Sequence, residues 1–301
     1  MSRPLLVVLC GPTAIGKTAV AVQLAAHFKT SVFSADSRQF YKEIPIGTAQ
    51  PSAAEQQQVP HFFIASHSIH QPLDAGSYAR ECRNLLENEF RENPVIIMAG
   101  GSGLYIDAVL NGFDELPVQD EKLRAELQSL FGQKGIVFLQ EELKALDPVY
   151  YESVDKENPS RLIRAIEVCR LSGKRYSDLR SGKKEELPFD VLKVGLELPR
   201  EELYARINRR VDQMLKDGLE AEAKSVFAFR SLGPLNTVGY KELFDYFEGK
   251  TDFKRAVELI AQHTRNYAKR QMTWWRKDAS IRWFHPAATE EMIAAIETAA
   301  H

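Results

Sequence analysis

The chain has 301 residues, enough for one large domain or two modest ones. With 44% hydrophobic and 27% charged residues it has the make-up of a water-soluble globular protein, and a formal net charge of −2 excludes a globally cationic nucleic-acid binder, so any such site must be a local patch. Three cysteines, Cys10, Cys82 and Cys169, lack the paired spacing of a zinc site or a disulfide framework and fit a reducing compartment.

Arg3-Pro4 leads directly into a strand-like run, Leu5 to Leu9, with no signal segment before it, and no apolar run approaches the ~20 residues that span a bilayer. A cytoplasmic protein is expected. The run ends in Gly11-Pro12-Thr13-Ala14-Ile15-Gly16-Lys17-Thr18, which fits Gly, four residues, then Gly-Lys-Ser/Thr, and a helix is expected from Ala19 to Phe28. Strand, loop and helix are the setting in which backbone N–H groups wrap a phosphate and the helix dipole favours its charge. Lys17 would reach outer phosphate oxygens and Thr18 would hold a magnesium ion. The motif assigns a di- or polyphosphate, ATP or another nucleotide included, without naming the reaction. Cys10 at the mouth of the loop reads as a buried strand-end thiol rather than a nucleophile.

Ser31 to Ser34 is a second short strand, ending in Ala35-Asp36-Ser37-Arg38-Gln39. Strand carboxyl ends of a parallel sheet face the ligand crevice, so Asp36 belongs near the loop. It is a helix cap, a magnesium-holding carboxylate or a general base, and its position leaves all three open. A loop-rich stretch with Ile46-Gly47-Thr48-Ala49-Gln50-Pro51-Ser52 precedes a third strand, His61 to Ile64. Ser77 to Asn93 has helical periodicity and Pro94 stops it; Val95 to Ala99 is a buried strand ending in Gly100-Gly101-Ser102-Gly103. These glycines would let backbone approach a ligand, with Ser102 offering a hydroxyl, or they form a tight strand-to-helix turn. The strand does not end in Asp, which disfavours a motor or switch ATPase.

From Leu116-Pro117 the pattern turns helical and charged: Asp120 to Phe131, Gln140 to Leu146, and a helix from Arg161 to Ser172 stopped by Gly173, with Ile136 to Leu139 too short to assign. The polar run from Ser181 to Glu186 marks its end. Such insertions beside a phosphate loop are lids or docking modules. Val191 to Leu198 returns to strand pattern and is followed by a helix, Glu201 to Asp217, with Arg206 and Arg210 on one face; such arginines can clamp a phosphate, but solvated helix arginines are the commoner case. In the helix from Asp252 onward, the stretch Arg265 to Lys277 holds five basic residues and no acidic one, interleaved with aromatics, as single-stranded RNA sites do; a basic surface helix with its tryptophans packed inward reads equally well. The expected architecture is α/β: a phosphate-loop parallel sheet with helices on both faces (1–116 and 191–301) and an all-helical insertion (117–190).

Together these segments resemble one family, the tRNA dimethylallyltransferases. The resemblance covers nearly the whole chain and rests on residues 11–18, Ser34-Ala35-Asp36-Ser37-Arg38-Gln39, Ile46 to Pro51, Gly100 to Tyr105, Arg161 with Arg164, Gly239-Tyr240-Lys241-Glu242 and Thr264 to Trp274. It implies transfer of a dimethylallyl group from dimethylallyl diphosphate to the exocyclic N6 amine of the adenine 3′ of the anticodon, releasing diphosphate with Mg2+ as cofactor, by a monomer that uses no membrane. It also implies roles. Asp36 would be the general base, with Ser102 and Arg210 as further catalytic groups, Arg206 a weaker clamp beside Arg210, and Thr13 to Thr18 the core of a diphosphate cradle that spans Gly11 to Thr18. Asp36, Ser37, Arg38, Gln39, Ser102, Arg124, Ser160, Arg161, Leu162, Ile163, Arg164, Lys241, Lys269, Arg270 and Arg276 would touch tRNA. Two positions depart from the family pattern: Ser102 where Thr is usual, and Gln50 where Lys is usual. Competing readings are prenyl transfer to a free adenine nucleotide, a small-molecule kinase, and a non-catalytic RNA-binding module.

Overall fold

The structure is a computed structural model that describes residues 3–112, 116–117, 120–180 and 186–300. The chain divides into two compact units, 1–110 with 186–301, and 111–185. These bounds replace the expected cuts before 117 and after 190. Leu187 and Phe189 pack into the larger unit ahead of its fifth strand, so the return to the core precedes the strand pattern itself. The run expected to mark the end of the insertion lies outside the described residues except for Glu186.

In the larger unit six strands form one parallel sheet: β1 (Leu5–Cys10), β2 (Val32–Ser34), β3 (His61–Phe62), β4 (Val95–Gly100), β5 (Asp190–Leu196) and β6 (Arg282–Phe284), in the order β3-β2-β4-β1-β5-β6. The third strand is two residues, not four, and β6 was not foreseen. Its helices are α1 (Lys17–Phe28), α2 (Ala53–Gln56), α3 (Ala75–Glu89) and α4 (Gly103–Asn111). Both faces of the sheet are covered, which is why its strands read as unbroken apolar runs. Leu5, Val7 and Leu9 pack on one side with Val20, Ala21 and Leu24 of α1. Leu6 and Val8 pack on the other with Tyr78, Cys82 and Leu86 of α3 and Ile106 of α4.

The smaller unit is all helical: α5 (Glu121–Leu146), α6 (Pro148–Ser153), α7 (Pro159–Ser172) and α8 (Tyr176–Leu179). The unassigned run Ile136 to Leu139 lies within α5, just past a break at Gly135, whose φ is 74°. Leu127, Leu139, Leu143, Leu162 and Ile166 form its apolar centre. Gly173, at φ 66°, caps α7, where the sequence placed the stop.

The chain then adds α9 (Arg200–Lys216), α10 (Leu219–Val226), α11 (Tyr240–Phe247), α12 (Phe253–Trp275) and α13 (Thr289–Ala300) to the larger unit. Asp252 caps α12 by accepting from the Arg255 N–H at 2.7 Å. Among the described residues no helix is long and apolar enough to cross a membrane.

Register sets out the site. Cys10 of β1 lies beside Gly100 of β4, and Ser34 of β2 lies beside Ala99. Three turns, beginning at Gly11, Gly101 and Ala35, therefore leave one edge of the sheet next to each other.

Candidate active site

The turn after β1 winds tightly into α1. Gly11 has φ 148° and Gly16 has φ 104°, both in the region that favours glycine, and Ala14 between them also sits at positive φ. The first turn of α1 leaves the N–H groups of Lys17, Thr18 and Ala19 without helical acceptors, aimed out of the helix end. Lys17 folds back over the loop, its Nζ donating to the carbonyl oxygens of Gly11 (3.0 Å) and Pro12 (2.9 Å). Burial, only partly offset by the charge of Asp36, brings its pKa down to about 8. Burial likewise lowers that of Arg210, which Asp36 again supports. Arg210 Nη1 donates to Thr13 Oγ1 at 3.3 Å, and Arg206 holds the Ile15 carbonyl (3.1 Å) and pairs with Glu202.

Thr13, Ala14 and Gly16 to Thr18 line a cavity of about 710 Å³ whose wall also includes Asp36, Arg206 and Arg210. The remaining wall mixes apolar side chains, Val32, Pro45, Ile46, Ile64 and Met214 among them, with polar ones that include Glu55, His61, Gln213 and Asp217. One cavity thus presents a cationic, amide-rich region, the Asp36 carboxylate close enough to bear on Lys17 and Arg210, and several apolar side chains. Asp36 caps no helix: its Oδ1 accepts from the Arg38 N–H at 3.1 Å, closing a short turn. Tyr267 of α12 stands close enough that burial and then the charge of Asp36 push its hydroxyl pKa up.

The glycines after β4 are packed tightly against the protein itself. A Cβ at Gly100 would lie 2.2 Å from the Ala35 carbonyl oxygen, one at Gly101 2.2 Å from Gln271 Nε2, and one at Gly103 2.2 Å from Trp274 Nε1. Close approach thus occurs to neighbouring turns and to α12, and Gly100 also lines the cavity. Ser102, expected among the catalytic groups, accepts from the Ser37 N–H (3.0 Å) and donates to Ser37 Oγ (3.1 Å), so its hydroxyl steadies the Asp36 turn.

The residues expected to touch tRNA divide three ways. Lys241, Lys269, Arg270 and Arg276 are exposed on the larger unit, and Ser160 and Arg161 are exposed on the smaller. Others are engaged within the protein. Arg38 donates to the carbonyls of Gly233 and Pro234 (3.2 and 3.1 Å), and the Gln39 amide to that of Ala49 (2.9 Å). Arg124 and Arg164 pair with the fully buried Glu167, at 3.5 and 3.0 Å. Leu162 and Ile163, at 0% and 4% exposure, belong to the smaller unit's apolar centre, so their side chains present almost no surface to RNA. The two tryptophans split the rival readings of the basic stretch, Trp275 turning inward and Trp274 remaining 43% exposed. Gln50 donates to the carbonyls of Gln39 and Tyr41, both at 2.9 Å, so its amide fixes the loop with no charge.

Two anchoring residues escaped the sequence reading. Glu222 accepts from the N–H groups of Ile46 and Gly47, both at 2.8 Å, and from the Tyr240 hydroxyl at 2.5 Å, fixing the loop that carries Ile46 and Ala49 into the cavity. Gln271 reaches both the phosphate loop and the turn after β4. Neither stands out locally, since each acts on residues far away in the chain.

A family model described as IPP transferase matches residues 39–278. The chain is 45% identical to tRNA dimethylallyltransferase 1 of Bacteroides fragilis, over 99% of both chains. It is 47% identical to the tRNA dimethylallyltransferase of Cytophaga hutchinsonii, over 97% of this chain and 96% of that one. Among solved structures it is similar to a tRNA isopentenylpyrophosphate transferase from Bacillus halodurans (TM-score 0.73, 32% identity, covering 99% of this chain and 97% of that one). It is also similar to a eukaryotic dimethylallyltransferase acting on tRNA (TM-score 0.78, 25% identity, covering 99% and 77%). A phosphate loop and a carboxylate on one cavity wall, in a chain matched almost end to end by these proteins, mean that it belongs to the tRNA dimethylallyltransferase family.

Proposed function

We propose that this protein transfers a dimethylallyl group from dimethylallyl diphosphate to the N6 amine of the adenine 3′-adjacent to the anticodon in tRNA, releasing diphosphate. The observation that carries the reading is the sharing of one cavity by Asp36 and the phosphate loop. An aryl amine is a weak nucleophile, so its proton must leave as the carbon–nitrogen bond forms. The Asp36 carboxylate accepts that proton. As the carbon–oxygen bond breaks, diphosphate gains charge, and Lys17, Arg210 and the amides at the start of α1 stabilise it most where the charge develops. The apolar side chains of the wall hold the dimethylallyl chain. An adenine stacked in the anticodon loop cannot reach Asp36, so it is turned out of the stack. Lys269, Arg270 and Arg276 supply the positive surface for the RNA backbone.

Magnesium fits the residues present. Among the described residues no three His, Cys, Asp or Glu side chains are grouped to cage a cation, but Thr18 gives a hydroxyl and Asp36 a carboxylate. Mg2+ commonly takes one or two such ligands and completes its shell with substrate phosphates and water. When bound it would neutralise charge on the leaving diphosphate.

Incubation with labelled dimethylallyl diphosphate and unmodified tRNA should place label in the RNA; label in a free adenine nucleotide instead would favour the smaller acceptor. Asp36→Ala should lower turnover by about a hundredfold or more while tRNA affinity survives. Turnover near the wild-type rate in that variant would remove Asp36 as the base.

A further inference from the structure

We infer that Gln271 is a positioning residue that holds the diphosphate cradle and the base-bearing turn as one rigid unit, an inference that rests on the reaction proposed above. Gln271 lies on α12 and is 6% exposed. Its Oε1 accepts from the Thr13 N–H at 2.9 Å, and its Nε2 donates to the Gly101 carbonyl oxygen at 3.0 Å. Turning the amide over would set donor against donor and acceptor against acceptor, so the network fixes its orientation.

Each contact leads to a reacting group. Thr13 also receives Arg210 on its hydroxyl. Gly101 runs into Ser102, whose hydroxyl accepts from the Ser37 N–H at 3.0 Å, and Ser37 follows Asp36. The Ser102 N–H donates to the Ala35 carbonyl at 3.2 Å, closing the same turn from its other side. One amide therefore joins the anion-holding turn to the turn that carries the base, across 258 and 170 residues of chain. It also occupies the Thr13 N–H, so the donors left for diphosphate begin beyond Thr13. Glutamate at this position would keep the acceptor but lose the donor, and would add a negative charge beside the cradle. Methionine fills similar space and keeps neither bond. Misplacing a reacting group by about 1 Å can cost on the order of a hundredfold in rate.

The test uses full-length Gln271→Met and Gln271→Glu. Four quantities are read: thermal midpoint, affinity for an anticodon stem-loop, affinity for inorganic diphosphate by calorimetry, and kcat for transfer. For Gln271→Met we expect kcat down about thirtyfold, diphosphate binding about fivefold weaker, and stem-loop affinity and thermal midpoint close to wild type. Gln271→Glu should bind diphosphate more weakly still. A fall in all four quantities together would mean general loosening and would overturn the inference, as would kcat and diphosphate affinity within threefold of wild type in both variants. If wild type binds diphosphate yet transfers nothing, the proposed reaction fails, and Gln271 is judged on diphosphate affinity alone.

Discussion

Two glycine-bearing turns leave neighbouring strands of the same sheet, one after β1 and one after β4, and they need glycine for different reasons. The first, Gly11 to Gly16, needs glycine for backbone geometry: φ of 148° and 104° there bends the chain around a space that stays open to the cavity. The second, Gly100 to Gly103, needs glycine because Ala35, Gln271 and Trp274 stand where side chains would be. A glycine cluster at a strand end signals that something comes close. Whether that is a ligand or the protein's own helix depends on contacts that span most of the chain.

The comparison breaks most visibly at Lys17. If the first turn faces ligand, Lys17→Met should reduce kcat/KM by about 10²- to 10³-fold, in the range seen when a preorganised donor to a developing charge is lost, with no fall in thermal midpoint. Arg210→Ala should behave in the same way. A large fall in melting temperature with activity per folded molecule preserved would make the first turn structural and erase the contrast.

The second turn should give the mirror image. Gly103→Ala sets a methyl against the Trp274 ring, and the overpacking should destabilise the fold by about 1–3 kcal/mol. Gly100→Ala should cost at least as much, since it meets the Ala35 backbone, which cannot swing aside as a side chain can. Denaturant unfolding measures both. Gly103→Ala at wild-type stability, with diphosphate binding lost, would move this turn into the ligand site.

The same contrast explains what was legible in the sequence. The phosphate loop, the parallel sheet and the place of Asp36 follow from local rules: an apolar run, glycines at fixed spacing, and a strand's carboxyl end. Several other placements are harder to read. Gln271 sits inside a run that reads as basic surface, and its burial depends on α12 lying against the turn after β4. Arg124 and Arg164 also pair with the buried Glu167, a partner that nothing near Arg124 in the sequence announces. Leu162 and Ile163 fall within a motif carried over whole from the family, although the periodicity of α7 turns them into its apolar centre. Spacing fixes what a residue can reach along its own element, but not what another element brings to it.

The finest difference between the turns is electrostatic, and pH exposes it. Burial lowers the Lys17 pKa to about 8, against about 10.5 in an unfolded chain. The folded protein therefore holds this proton less tightly than the unfolded one. Its burial costs stability at neutral pH, and the cost fades as pH rises through 8 towards 10.5. Diphosphate reverses the preference, because it favours the ammonium form. Above pH 8 the free protein must take up a proton to bind, and affinity should fall by up to about tenfold for each further pH unit. Lys17→Arg supplies a cation that does not titrate in this range, and so reports the protonation of diphosphate itself. Calorimetric titrations of both proteins with inorganic diphosphate at pH 7.5, 8.5 and 9.5 should diverge, wild type falling more steeply. Parallel slopes would mean that Lys17 keeps its proton throughout and that the Asp36 carboxylate outweighs the burial of the ammonium group.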